Sequence, residues 1–286
     1  MARSSVSPYG TKSESRIVLE KCEYKRRCFL LDESVVIVVG MGEVGKPLLR
    51  ILSRCYSCVA VDIEPIEVDR PCQVLHICYP FQIDDFAAST QKYIDKYRPD
   101  LTVINSTVAP GTTRSIQSQV YPRPVVYSPI RGKHANMEND MLRYAKFVAG
   151  SDEKAVREAL RHFERAGFRL NTFRTPEIAE VSKLIETSWL GMLVAWAQEV
   201  ERFAARYGGG FEEVNSFVKE IECLPSHIFP GWIGGHCVMP NIAILRKQFR
   251  SALLDAIVES NRAKGVESGN GLEVQRGHQR ALRKRA

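Results

Sequence analysis

The sequence predicts an α/β fold, a doubly wound parallel sheet followed by a helical domain with one long central helix. Three observations lead there. Short β-branched runs alternate with stretches of helical period from Ser34 to Phe173, which is how a parallel sheet with crossover helices reads. A glycine-rich turn follows the first of these runs, and Glu177 to Tyr207 holds no proline and one glycine, Gly191.

The elements follow in order. Val35 to Val39 reads as the first strand, with a helix after it through Leu52. Strands follow at Val59 to Asp62 and Gln73 to Cys78, a helix at Asp84 to Tyr97 and a strand at Leu101 to Asn105. Val125 to Tyr127, Lys146 to Ala149, a helix at Asp152 to Ala166 and a strand at Phe168 to Phe173 complete the sheet. Thr175 and Pro176 then mark a helix start, a capping hydroxyl before a residue whose missing N–H costs nothing in the first turn. The helix from Glu177 to Tyr207 spans about 45 Å at roughly 1.5 Å per residue. Its middle, Trp189 to Ala197, is apolar on nearly every face, which predicts burial all round, between domains or against a second copy in a homodimer. Helices at Glu212 to Ile221 and Ile242 to Ala263 follow. The expected organisation is an extension over 1–33, a cofactor domain over 34–173, a helical domain with a catalytic loop over 174–264, and a basic, disordered tail over 265–286.

Composition narrows the class. The 286 residues, 44% hydrophobic and 26% charged, match a globular chain of about two domains. No apolar run approaches the roughly 20 residues of a membrane helix. Met1 to Arg16 is Ser-rich and lacks the apolar core of a secretory signal, so a cytoplasmic location with reduced thiols is expected. Of eight cysteines only Cys55 and Cys58 form a C-x-x-C, and a four-cysteine zinc site needs two such pairs, so no metal is expected. The net charge of +7 gathers at the two ends, around Lys25 to Arg27 and Arg280 to Arg285. Solvated ends explain it better than a nucleic-acid surface, and the excess suits an anionic small-molecule substrate.

Immediately after the first strand stands Gly40-Met41-Gly42-Glu43-Val44-Gly45. In this strand–turn–helix setting the pattern is the Rossmann-type fingerprint: Gly40 for the turn, Gly42 for approach of a pyrophosphate, Gly45 for close helix packing. The helix N-terminus offers free N–H groups to the phosphates. Asp62, about 20 residues on, can accept both ribose hydroxyls, which selects NAD over its 2′-phosphorylated form.

Further along lie Ser106-Thr107-Val108-Ala109-Pro110-Gly111-Thr112-Thr113, Ala179-Glu180-Val181-Ser182-Lys183 and Pro230-Gly231-Trp232-Ile233-Gly234-Gly235-His236-Cys237. These segments resemble the UDP-glucose and GDP-mannose dehydrogenase family in order and spacing, over roughly Ser34 to Ala263. The resemblance implies twofold oxidation of an alcohol carbon by NAD, with Cys237 as the nucleophile that captures the aldehyde and Lys183 as the ammonium that steadies an alkoxide. It further implies that Thr107 stands near the nicotinamide and that Pro80 lines the cofactor. A thiolate in a glycine-rich turn, with Gly234 and Gly235 offering backbone N–H groups, suits that chemistry.

The departures are as specific as the matches. Where the family has a glutamate, the chain reads Ser128-Pro129-Ile130-Arg131. Where it usually has asparagine and aspartate stand Thr187 and Asn241. Neither can act as a carboxylate base, so the full four-electron reaction is not expected to follow the family's mechanism, and a single oxidation stays open. Arg131, Lys133 and His134 supply cations for an anionic substrate, and His134 is a candidate substitute base. The family's second nucleotide-binding domain is expected to be lacking. The alternative is an NAD-binding sensor, or a subunit that partners a complete enzyme.

Overall fold

The computed structural model describes residues 33–62, 64–132, 134–221, 228–235 and 237–269. The N-terminal extension through 32, the tail from 270, Lys133 and His236 lie outside the described residues. The chain divides into two compact units. One runs to Ser106 and resumes over Ile116–Thr172, and the other holds Thr107–Ser115 and the residues from Phe173 onward.

The first unit is built on seven strands: β1 (Val35–Val39), β2 (Cys58–Val61), β3 (Cys72–Ile77), β4 (Leu101–Ile104), β5 (Val125–Tyr127), β6 (Lys146–Gly150) and β7 (Leu170–Thr172). Their order is β2-β1-β3-β4-β5-β6-β7. β1 to β5 run parallel, as the alternating pattern predicts, and every residue of β1 is buried. β6 departs from the all-parallel expectation by pairing antiparallel to β5, Tyr127 opposite Ala149. The connection between them carries a 3-10 turn (His134–Asn136) and the short helix α4 (Met137–Arg143), which turn the chain back without a full crossover.

The crossover helices are α1 (Gly45–Leu52), α2 (Phe86–Tyr97), α3 (Thr112–Val120) and α5 (Glu153–Arg165). The sequence reading did not foresee α3 and α4, which are short. Asp85 and Asp152 cap α2 and α5 through bonds to Ala88 N and Lys154 N. Leu48, Ile51 and Leu52 of α1 and Phe163 of α5 share one core with Val36, Val38, Val74, Val103 and Val148 of the sheet.

The second unit is helical: α6 (Pro176–Arg206), α7 (Phe211–Lys219), α8 (Val238–Gln248) and α9 (Ala252–Glu267). Thr175 caps α6 through Ile178 N and Pro176 opens it, as predicted. The single helix expected over Ile242 to Ala263 is two, because Phe249 turns extended and Ser251 caps a new start through Leu254 N. α9 also continues through Gly265 to Glu267, three residues into the expected tail. Ala195, Ile233, Ile242 and Ile257 form the core of this unit. Burial of the middle of α6 is one-sided: Gly191, Ala195 and Ala197 are buried, whereas Trp189, Leu190 and Trp196 face outward in the single chain. Among the described residues no helix is long and apolar enough to cross a membrane.

Candidate functional site

In the first unit the glycine turn and its acidic partner meet. Gly40 donates its N–H to Val61 O at 2.8 Å, and the N–H of Met41 donates to Asp62 Oδ1 at 3.1 Å. Parallel pairing of β1 with β2 puts Val39 beside Val61 and so delivers Asp62 to the turn. Gly40 has φ +96°, and a Cβ there would lie 2.7 Å from Tyr79 N. A Cβ on Gly45 would lie 1.8 Å from Gly40 O, whereas one on Gly42 would meet nothing within 4 Å. Two of the glycines thus fold the turn, and the third leaves open space. Val44 is the N-cap of α1 and Glu43 is exposed. Lys46 N and Leu48 N already donate to Gly42 O and Val44 O at 3.2 Å and Pro47 has no N–H, so it is the N–H groups of the turn up to Gly45, with the exposed Asp62 beside them, that suit a phosphate and a ribose diol.

Pro80 is exposed just beyond β3. Ser106, which the sequence reading passed over, fixes its neighbour: Ser106 Oγ donates to Tyr79 O at 2.6 Å. Thr107 follows, half-buried.

The altered glutamate position is structural. Ile130 is buried in the core of the first unit. Arg131 lies over the rings of Tyr144 and Phe147, at 5.7 and 6.0 Å. Arg131 and Tyr144, with Met141, Lys146 and Phe168, line a small cavity. His134 begins a 3-10 turn, but its side chain, like Lys133, lies outside the described residues.

Beneath this runs a buried polar chain that no sequence motif announced. Lys146 Nζ donates to Ser128 O at 3.0 Å and Asn105 Oδ1 at 3.3 Å, and Asn105 Nδ2 donates to His76 Nδ1 at 3.1 Å. His76 Nε2 must then carry the hydrogen it shares with His162 Nε2 at 3.0 Å. His162 Nδ1 is left without a partner among the described residues. Burial lowers Lys146 to about 7, against a smaller raising effect of Cys78. Burial and then the Lys146 charge lower His162 to about 3, and burial holds His76 well below the ordinary imidazole value. Burial also pushes the Cys78 thiol up to about 12.

In the second unit Thr187 and Asn241 come together, one turn along α6 from Lys183. Lys183 Nζ donates to Glu186 Oε2 at 3.0 Å, its side chain largely covered. Asn241 Nδ2 donates to Thr187 Oγ1 at 3.1 Å, and that hydroxyl donates to Leu184 O at 3.0 Å. The two altered positions satisfy one another as a neutral pair. Cys237 is the half-buried N-cap of α8.

The loop before Cys237 is held by two amides that sequence reasoning missed. Ile233 exchanges bonds with Asn261, N–H to Oδ1 at 2.7 Å and Nδ2 to carbonyl at 3.0 Å. Gln198 Nε2 donates to Gly231 O at 2.7 Å. Gly235 has φ +76°, and a Cβ on Gly234 would strike the Trp232 ring at 2.7 Å. A polar helix residue aimed at a distant loop carries no local sequence signature. Glu180, also missed, seats the Pro110 to Thr113 turn: it accepts from Gly111 N, Thr113 N and Thr113 Oγ1 at 2.6, 2.8 and 2.6 Å.

No family model matches the chain. It is 22% identical over 238 residues to UDP-N-acetyl-D-mannosamine dehydrogenase of Methanocaldococcus jannaschii, covering 76% of this chain and 51% of that protein. The chain thus spans about half the length of that curated relative. Its fold is similar to UDP-D-ManNAc dehydrogenase from Pyrococcus horikoshii, with TM-score 0.70 and 18% identity over 85% of this chain and 72% of that one. It is also similar to 3-hydroxyisobutyrate dehydrogenase of Mycobacterium tuberculosis, with TM-score 0.62 and 11% identity over 82% of this chain and 94% of that one. By fold, and by the order of its glycine turn, Ser106–Thr113 segment, Ala179–Lys183 run and Pro230–Cys237 loop, the chain resembles the nucleotide-sugar dehydrogenases.

Proposed function

We propose that the chain is an NAD-dependent dehydrogenase that oxidises an alcohol group of an anionic small molecule, a nucleotide sugar being the first class to test. The observation that carries the reading is the Asp62 carboxylate bonded to the glycine turn, because a diol acceptor beside a phosphate cradle is the chemistry of a dinucleotide. NAD, when bound, supplies the hydride acceptor. The N–H groups of the turn up to Gly45 would hold the pyrophosphate at the N-terminus of α1, and Asp62 would accept the ribose hydroxyls and repel a 2′-phosphate.

The remaining steps fall to Lys183 and Cys237. The Lys183 ammonium steadies the alkoxide that forms as the substrate hydroxyl loses its proton. Cys237, at a helix N-terminus that favours negative charge on sulfur, adds to the aldehyde as a thiohemiacetal. Thr107 orders water near the reacting carbon, and Arg131, Lys133 and His134 bind the anionic group. Hydrolysis of a thioester would need a base, and Ile130 and the neutral Thr187–Asn241 pair do not provide one. Held as the thiohemiacetal, the aldehyde cannot take the hydride back, which makes even a single oxidation depend on Cys237; the adduct then collapses with the Cys237 thiolate leaving, and the product is the aldehyde.

The test is NADH absorbance with a panel of UDP-sugars, GDP-sugars, phosphorylated sugars and a 3-hydroxy acid. One NADH per substrate, lost by at least about a hundredfold in Cys237→Ala, is expected, in line with removal of a covalent catalyst. Turnover unaffected by that substitution would defeat the cysteine mechanism.

A second reading, a catalytically reduced NAD-binding sensor or partner subunit, draws on Lys183 being engaged by Glu186 and on Ile130 being core. It predicts NAD binding by calorimetry with silence across the panel.

Ile178, Ile185, Trp189, Trp196 and Phe203 are all exposed along α6. Their near-heptad spacing suits a second copy, which makes the active form a homodimer. Sedimentation should show a dimer that Trp196→Glu converts to monomer. An unchanged sedimentation coefficient would refute it.

A further inference from the structure

Gly191 is the single glycine of α6. A helix interior favours alanine over glycine, so glycine there asks for a reason in packing. A Cβ on Gly191 would lie 2.9 Å from Val238 Cγ1, 3.0 Å from Ile242 Cδ1 and 3.5 Å from Ile257 Cγ2. The first of these contacts decides the matter. Val238 opens α8 and directly follows Cys237, the N-cap. A helical valine has one dominant χ1 rotamer, so its methyl cannot swing aside as the end of Ile242 can. A side chain at 191 would displace the first turn of α8 instead.

The same face of α6 carries the candidate chemistry. Gly191 stands one turn beyond Thr187 and two beyond Lys183, and positions four apart share a helix face. That face meets α8 at Gly191 and again at Thr187, where the Asn241 amide is received at 3.1 Å. We infer that Gly191 is a positioning residue: its missing side chain lets the first turn of α8 lie against α6 and so fixes where Cys237 stands relative to the row that bears Lys183. This deepens the dehydrogenase reading and rests on it for its kinetic readout.

The experiment compares wild type, Gly191→Ala and Gly191→Ala/Val238→Ala. The single variant should lose about tenfold or more in kcat, since a misplacement of about 1 Å can cost that much, while its NAD affinity by calorimetry stays within about twofold. Val238→Ala removes the opposing methyl and should return kcat to within about threefold of wild type. A Gly191→Ala enzyme with undiminished kcat, or a loss that Val238→Ala does not reverse, overturns the inference. Alkylation of Cys237 by iodoacetamide, followed in its peptide by mass spectrometry, needs no turnover. Its rate should change in the single variant and return in the double, and equal rates in all three proteins would also overturn it. A wild type that makes no NADH would defeat the dehydrogenase reading alone, with alkylation still deciding the role of Gly191.

Discussion

Glu180 shows how much one side chain carries. Its carboxylate is buried on α6 and accepts three hydrogen bonds at the start of α3, where unpaired N–H groups and the helix dipole favour an anion. Burial nevertheless raises its pKa, outweighing those bonds. Glu180→Gln keeps the shape but turns an N–H₂ toward backbone donors, leaving at least one of them unmet. A loss of about 1–3 kcal/mol in urea unfolding is expected, from the desolvation of an unsatisfied donor. No change would mean that the turn is held by other contacts. Glu180 lies inside a motif used to find Lys183, yet its own purpose was not legible, because Gly111 and Thr113 are about 70 residues distant in sequence. Gly40, Gly42, Gly45 and Asp62 were legible because their reasons are local: a turn, a helix start and a strand end at fixed spacing.

At the scale of elements, strands β1 to β5 and the start of α6 could be read from periodicity and capping, since both express neighbouring residues. The break between α8 and α9 could not, because apolar period continues across Phe249 to Ser251 and only the Ser251 cap marks it. The loop before Cys237 is the element whose shape depends most on distant side chains. Asn261 answers both the N–H and the carbonyl of Ile233, and Gln198 takes up Gly231. Asn261→Ala would leave a buried peptide group unpaired and free the loop. A stability loss of about 2 kcal/mol is expected from such a group, with faster amide exchange at Ile233. Exchange at Ile233 that stays as slow as in wild type would show that the loop is fixed without Asn261.

For the whole molecule, the doubly wound sheet was legible and its interior chemistry was not, because β3 reads as an apolar strand in which His76 passes for a core residue. Stability should consequently carry the mark of Lys146. Its pKa is about 7 when folded and 10.5 ordinarily, so between those values the unfolded chain binds a proton that the folded chain refuses. Stability therefore falls as pH drops through this window, and below pH 7 both states are protonated and the effect levels off. His162 and His76, also lowered by burial, oppose folding in the same sense below the ordinary imidazole value of 6.5. Above pH 9 the sign reverses for Cys58, Cys72 and Cys78, whose raised values let the unfolded chain lose protons first. Between pH 7 and pH 9, above the range of the histidines and below that of the thiols, comparing Lys146→Met with wild type isolates the Lys146 proton. The difference should move in favour of the variant by roughly 1 kcal/mol for each unit from pH 9 to pH 7, read by urea unfolding with circular dichroism. A difference independent of pH would place the Lys146 proton in the folded protein throughout that range, and with it a charged group buried inside the first unit.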